Sequence, residues 1–183
     1  EGRVAMGTGK PRAGTPGIAT GNVIRDSSMG LATQLIEAIV RLNDSVWRRN
    51  SVRLAWIEML RLRNARTVNC AFCKAARYDV ARWDGLTEDK VGQIDDDFAS
   101  SALSEAEKLV LGFADVYLRD PGHFDPQLIA RLRGHFSAQQ ICHMAVSLAT
   151  FNASSKCAVS LGGMPEFVPV MEVSLPPPVE SPA

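Results

Sequence analysis

The chain has 183 residues, of which 46% are hydrophobic, enough to close the core of one domain. This composition excludes fibrous, collagen-like and wholly disordered proteins. Twenty Lys and Arg balance twenty Asp and Glu, so the chain as a whole lacks the positive charge that binding to nucleic acid or anionic lipid requires. No apolar run is long enough to cross a membrane, and the start of the sequence has no apolar signal-peptide core. We therefore expect a soluble, cytoplasmic protein with no nucleic-acid or membrane partner.

The two ends of the sequence differ in composition from its middle. Seven of the fourteen glycines fall in the first thirty residues, where no apolar periodicity is present. Six of the ten prolines lie between Pro165 and Pro182, and proline runs cannot continue a helix. We therefore predict a flexible N-terminal arm over 1–29, one domain over 30–172 and a Pro-rich tail over 173–183.

Between these ends, apolar residues recur at helical spacing. Amphipathic helices are predicted over 30–42 and 47–66, then a helix over 69–82 with Asn69 as its N-cap and a short helix over 87–94. Later helices begin at sequence capping signals, which are Ser104 with Glu107, Asp125 before Pro126, and Ser137 with Gln140. No stretch alternates with period two, so the sequence predicts an all-α domain of six or seven helices.

The chemically informative motif is the Cys-x-x-Cys pair Cys70 and Cys73. In the first turn of the helix predicted to start after Asn69, the two sulfurs can reach each other. A helix N-terminus also favours the thiolate, which is the attacking form of cysteine. The spacing is typical of a redox dithiol, although half of a zinc site or two buried apolar residues would look the same.

A zinc site would require two further ligands. The available residues are Cys142, His143 and Cys157, which lack paired ligand spacing. We therefore expect no metal site, and we expect Cys142 and Cys157 to pack in the core.

Glu58 lies twelve residues before Cys70, and one continuous helix would hold the two about 18 Å apart. The poor helix formers Thr67, Val68 and Asn69 allow the chain to turn back, which would place the carboxylate beside the dithiol. The alternative is a surface glutamate paired with Arg61 one turn further along the helix.

Charge is segregated around this motif. Residues 47–83 carry nine Lys and Arg against two acids, a formal +7, and residues 84–125 carry eleven acids against three bases, a formal −8. These segments are expected to pair within the fold or across a subunit interface.

Glu58, the stretch Leu60 to Arg66 and Cys70-Ala-Phe-Cys73 together resemble the Glu-x11-Cys-x-x-Cys signature of the AhpD-like alkylhydroperoxidases, in the carboxymuconolactone decarboxylase superfamily. The resemblance implies an all-α AhpD-like fold, a homo-oligomer, and an antioxidant thiol peroxidase. In that activity Cys73 attacks the hydroperoxide, Cys70 resolves the sulfenic acid as a disulfide, and Glu58 belongs to the proton relay. A dithiol donor, such as a lipoylated or thioredoxin-like protein, would restore the thiols. Flavin and haem have no sequence support, so no cofactor is expected.

The sequence departs from the family pattern at Arg77, where a histidine is usual, and at Phe72, where some peroxidases carry a second histidine. Arginine stays protonated and cannot shuttle protons, but one helical turn from Cys73 it would stabilise a thiolate. His123, His135 and His143 are expected to be surface or packed residues.

Two other functions stay open. A decarboxylase or lactonase-type enzyme of the same superfamily is one, although that branch generally lacks the cysteine pair. A redox-sensing binding module is the other, and the missing histidine favours it over a fully competent peroxidase.

Overall fold

A computed structural model of the chain describes residues 10–175, and this part is mostly helical, which confirms the predicted all-α fold class. Its α-helices are α1 Val23–Asp26, α2 Thr33–Arg48, α3 Leu54–Val68, α4 Ala71–Ala75, α5 Asp79–Trp83, α6 Glu88–Gly92, α7 Glu105–Arg119, α8 Pro126–His135 and α9 Ala138–Leu161. Two 3-10 turns, Ser28–Ala32 and Phe98–Ser100, and two short strands, β1 Ala76–Tyr78 and β2 Met171–Val173, complete the described elements. The helices outnumber the predicted six or seven because several have only four or five residues.

Helix α3 is the centre of the fold. It packs against α9, α7 and α5, and its residues from Ile57 to Ala65 are all buried. An element enclosed on most sides must bury its polar residues with its apolar ones, and each of these needs a hydrogen-bond partner. The apolar core around it comes mainly from α3, α7 and α9, and includes Ile57, Met59, Leu60, Leu62, Leu109, Val110, Leu111, Met144 and Leu148.

The predicted helix over 47–66 is wrong at its start, because α2 continues to Arg48 and α3 begins only at Leu54. Between them the Asn50 side chain accepts a hydrogen bond from the N–H of Val52 at 3.0 Å. This local turn competes with the helix. In the first turn of α3, the otherwise unpaired N–H of Ala55 donates to the carboxylate of Asp84 at 2.9 Å, a residue far along the sequence.

The predicted helix over 69–82 is also wrong. The chain forms α4, then strand β1, then α5, and β1 pairs in parallel with β2, with Arg77 opposite Glu172. Three-residue strands are too short to show period-two alternation, so the sequence did not indicate them. The pairing also places Val173, predicted to start the tail, opposite Tyr78.

The capping signals of the long helices are confirmed. Ser104 and Glu107 form a capping box at α7, and Ser137 and Gln140 form another at α9. Helix α8 begins at Pro126, and Asp125 caps it through the N–H of Gln127. Each signal satisfies otherwise unpaired backbone N–H groups within one turn, so it acts without tertiary contacts.

The segregated charges pair within the fold, one of the two expectations from sequence. Buried Arg63 bonds to Asp115 at 2.6 Å and to Asp96 at 2.8 Å. Burial by itself lowers the pKa of Arg63, but its bonds to the two aspartates outweigh that effect, so the pKa is raised. Arg66 donates to the backbone carbonyls of Val91 and Ile94. These contacts fasten the 84–125 segment to α3.

The described part of the predicted N-terminal arm contacts the end of α9. The N–H of Arg12 donates to the carbonyl of Leu161 at 2.7 Å, and the Arg12 guanidinium donates to Val159 and Ser160 carbonyls. The predicted boundary at residue 30 stays a prediction. Residues 1–9 of that arm and residues 176–183 of the predicted tail lie outside the described residues.

Across residues 10–175, none of the helices has the length and apolar content that crossing a membrane would require.

Candidate functional site: a disulfide at the end of the central helix

The structure joins Cys70 and Cys73 in a disulfide with their Cα atoms 5.2 Å apart. Asn69 ends α3 in the left-handed conformation, with φ of 58°, so it closes the preceding helix and does not cap the next one as predicted. Cys70 is itself the N-cap of α4, since its sulfur accepts the N–H of Cys73 at 3.3 Å. This sharp reversal folds the dithiol back along α3, as the predicted hairpin requires.

The two cysteines differ in exposure. Cys70 is completely buried at 0% relative exposure, whereas Cys73 is partly exposed. A reagent from solvent therefore reaches the sulfur of Cys73 first. Because α4 has only five residues, its dipole is small, and the thiolate stabilisation expected from a longer helix is correspondingly weaker.

Glu58 and Arg61 form a buried ion pair beneath this turn. Arg61 donates through Nε and Nη2 to the two carboxylate oxygens of Glu58, each at 2.6 Å. Its remaining donors reach the backbone carbonyls of Cys73 at 2.6 Å and Ala76 at 2.7 Å. The alternative from sequence thus has the correct pairing, but its surface location is wrong, since Glu58 is 0% and Arg61 6% exposed. Through Arg61, Glu58 holds the chain that carries Cys73.

The charge of this arginine is stabilised by its neighbour. Burial by itself lowers the pKa of Arg61, but the charge and hydrogen bonds of Glu58 outweigh burial, so the pKa is raised. The Tyr78 ring lies 5.4 Å from the guanidinium carbon, and the N–H of Tyr78 adds a 3.4 Å bond to Glu58. The pair is therefore enclosed by β1 as well as by α4.

Arg77 does not lie on a helix one turn from Cys73, so that placement is wrong. It lies in β1, its Nε bonds to Glu88 at 3.0 Å, and its Nη1 donates to the carbonyl of Lys74 at 2.7 Å. These contacts direct the guanidinium toward α6. A role of Arg77 in setting the reactivity of Cys73 stays a prediction.

Three polar residues at this site were missed by sequence reasoning. Ser155 on α9 donates through its hydroxyl to the Cys73 sulfur at 3.3 Å. Asn64 on α3 donates to the Ser155 hydroxyl oxygen at 3.1 Å, and Asn152 donates to the Asn64 carbonyl oxygen at 2.8 Å. Two asparagines inside helices are a weak signal, since asparagine is a poor helix former that needs a partner when buried. No spacing rule connects Ser155 to Cys73.

The other predicted candidates lie elsewhere. Cys142 and Cys157 are exposed, so their predicted core packing is wrong. His143 accepts the N–H of Ser51 at 3.0 Å, and His123 bonds to Asp120 at 2.8 Å. Among residues 10–175, no three His, Cys, Asp or Glu side chains are grouped so that they could hold a metal ion.

No family model matches the chain. The uncharacterized proteins MT2376 and Rv2313c, from two strains of Mycobacterium tuberculosis (CDC 1551 / Oshkosh and ATCC 25618 / H37Rv), are each 29% identical over 158 residues, or 86% of this chain. The match covers 53% of each relative, so the chain spans about half the length of the curated proteins it resembles.

A solved structure from Agrobacterium tumefaciens shares the fold. It is a protein of unknown function, ATU0492, described as a "Putative Antioxidant Defence Protein AhpD", and it superposes with a TM-score of 0.62 at 23% identity. The match covers 72% of this chain and 90% of that structure. At this identity the similarity establishes the fold, so the chain has an AhpD-like helical fold.

Proposed function

We propose that this protein is a thiol-dependent oxidoreductase that reduces hydroperoxides through Cys73 and Cys70. The observation that carries the proposal is the Cys70–Cys73 disulfide, which lies at the start of α4 against the buried, charged helix α3 of an AhpD-like fold. The difference in exposure supports the division of roles. Cys73 is the sulfur that an incoming peroxide reaches, and fully buried Cys70 reacts only with its neighbour.

The reaction has three balanced steps. The thiolate of Cys73 attacks the outer peroxide oxygen, the O–O bond breaks, and the leaving alkoxide takes a proton to become an alcohol. The thiol of Cys70 then attacks the resulting sulfenic acid, forming the disulfide and releasing water. A dithiol donor finally gives two electrons and two protons to the disulfide, for which a lipoylated or thioredoxin-like protein is suitable. Such cycling fits a reducing compartment such as the cytoplasm.

Glu58 and Arg61 support these steps by position. Arg61 donates to the carbonyl of Cys73, so the ion pair fixes the backbone of the attacking residue as the disulfide opens and closes. A proton-relay role of Glu58 stays a prediction, because both of its carboxylate oxygens accept hydrogen bonds from Arg61, which cannot itself carry a proton.

We also propose that the protein is a homo-oligomer. Apolar side chains remain exposed on α2 and α9, with Leu35 at 70% and Val146 at 53%. Val146 lines a groove of about 200 Å³ with Ile39, Leu42, Ala149, Thr150 and Ala153, and Leu35 precedes Ile39 by about one turn of α2. A contiguous apolar surface of this kind is typical of a protein interface, and a second copy of the chain is the proposed partner.

A redox-sensing module is the second candidate. Arg77 stands where the AhpD-like motif usually has a histidine, and its guanidinium forms an ion pair with Glu88. Without an imidazole next to the dithiol, the disulfide would act as a switch and would not turn over. The two functions differ in whether peroxide is consumed catalytically when a dithiol reductant is present.

The test is consumption of cumene hydroperoxide by the full chain with dihydrolipoamide or dithiothreitol as donor. Cys73→Ser is expected to lose at least nine-tenths of the turnover, because it removes the nucleophile. Exposed Cys142→Ser and Cys157→Ser are matched controls that should keep parental turnover, since they lie outside the site. Turnover in Cys73→Ser equal to that of the parent would refute the proposal. Stoichiometric oxidation of the parent without repeated turnover would favour the sensing module.

A further inference from the structure

The hydrogen bonds that run from Asn152 through Asn64 and Ser155 all have their donors oriented toward the sulfur of Cys73. The hydroxyl of Ser155 donates to the Cys73 sulfur at 3.3 Å across 82 residues of sequence. Ser155 is only 4% exposed, so this bond is formed away from bulk solvent. The hydroxyl belongs to α9 and not to the turn that the disulfide closes, so reduction of the disulfide breaks no bond in the element that carries it.

Other hydroxyls on α9 behave differently. Ser147, Thr150 and Ser154 each donate to the backbone carbonyl four residues earlier, at 2.7, 2.8 and 3.0 Å. This is the usual bond of a serine or threonine inside a helix. Ser155 donates to the sulfur of Cys73 instead, so its surroundings direct the hydroxyl.

Two amides orient that hydroxyl. Asn64, which is 0% exposed, donates to the Ser155 oxygen at 3.1 Å. The oxygen of Asn64 in turn accepts a hydrogen bond from Asn152 at 2.8 Å. The Ser155 oxygen accepts this bond through a lone pair, and its single hydrogen is donated to the sulfur. Each of these three hydrogen bonds therefore has its donor oriented toward Cys73.

We infer that Ser155, oriented by Asn64 and Asn152, stabilises the thiolate of Cys73 in the reduced protein. A thiolate is a stronger acceptor than a thiol or a disulfide sulfur, so the O–H bond strengthens when the anion forms. Amide groups do not release protons at neutral pH, so Asn64 and Asn152 orient the hydroxyl of Ser155 and do not conduct a proton to it. Ser155 thus supplies charge stabilisation at a site that lacks the histidine of the family motif. The inference rests on the proposed role of Cys73 as the attacking thiol.

The test measures Cys73 alone. In a parent carrying Cys70→Ser, Cys142→Ser and Cys157→Ser, Cys73 is the one remaining thiol of the four cysteines. The rate of alkylation by iodoacetamide is measured from pH 5 to 10, and its midpoint gives the ionisation of Cys73. Ser155→Ala is expected to raise this midpoint by about one pH unit, or to slow alkylation about tenfold below the midpoint, for one lost hydrogen bond to an anion.

Variants on the same helix serve as controls. Ser154→Ala removes the adjacent hydroxyl, which bonds to the Thr150 carbonyl, and should leave the midpoint unchanged. Ser155→Thr retains a hydroxyl, so its midpoint should stay close to that of the parent. Asn152→Ala, at a partly exposed position, should shift the midpoint in the same direction by a smaller amount, and it provides the test if Ser155→Ala does not fold.

The possible results separate cleanly. An unchanged midpoint in folded Ser155→Ala, or an equal shift in Ser154→Ala, overturns the inference. Alkylation requires no peroxide. If the protein with all four cysteines consumes no hydroperoxide while the single-cysteine parent shows the Ser155 shift, only the proposed peroxidase activity is refuted.

Discussion

The buried ion pair of Glu58 and Arg61 provides a quantitative test of how the site is held. Their side chains are 1% and 7% exposed. Removing one charge therefore leaves the other buried, with neither an ion-pair partner nor water to solvate it. Arg61→Met also removes the donors to the carbonyls of Cys73 and Ala76. Breaking a buried pair from one side costs about 3–5 kcal/mol of unfolding free energy. We expect Arg61→Met to lie in this range.

Glu58→Gln should be less destabilising, because Arg61 retains both backbone carbonyls as acceptors. The double variant Glu58→Gln with Arg61→Met removes both charges, so no unpaired ion remains in the core. Its loss of stability should be smaller than the sum of the two single losses by about 0.5–3 kcal/mol, the range found for residues in direct contact.

The assay is urea unfolding monitored by tryptophan fluorescence. Trp47 reports on unfolding because it is buried and its ring stacks on that of Tyr78 at 4.1 Å, an environment that is lost when the chain unfolds. The matched control is the exposed pair Arg131 and Glu105, with 55% and 50% side-chain exposure. Arg131→Met should unfold close to the parent, as exposed ion pairs contribute little. Additive losses in the double variant, or a loss in Arg61→Met no larger than in Arg131→Met, would refute the buried coupling.

Two further predictions concern acid stability and assembly. Burial by itself raises the pKa of Glu107, but its bonds to Lys90 and Ser104 outweigh burial and lower the pKa below its ordinary value. The stability it contributes is therefore present above the unfolded-state pKa of about 4.3 and is lost as the pH falls through the folded-state value. Urea midpoints of the parent should fall more between pH 6 and 3.5 than those of Glu107→Gln, and equal falls would contradict this. For assembly, Leu35→Glu should reduce the mass measured by light scattering, whereas Phe167→Glu, exposed outside the groove, should not; a parent of 19.8 kDa would exclude the oligomer.

Local signals in the sequence determined the helical class, the starts of α7, α8 and α9, and the redox pair. The capping boxes at Ser104 and Ser137 each act within a single turn, and the Cys-x-x-Cys spacing brings the sulfurs of Cys70 and Cys73 together within the same turn. Such features depend on residues three or four apart, so they can be recognised without knowledge of the packing.

Tertiary packing decided the surroundings of that pair. Glu58 and Arg61 have the spacing of a surface pair, and only the packing of α4 and β1 against α3 encloses them. The helix predicted over 69–82 is interrupted because β1 pairs with β2, almost a hundred residues later. Ser155 meets Cys73 for the same reason, since α9 packs along α3. Contacts between segments so far apart leave no periodic signal in one sequence, and they determine how the dithiol is held, shielded and hydrogen-bonded.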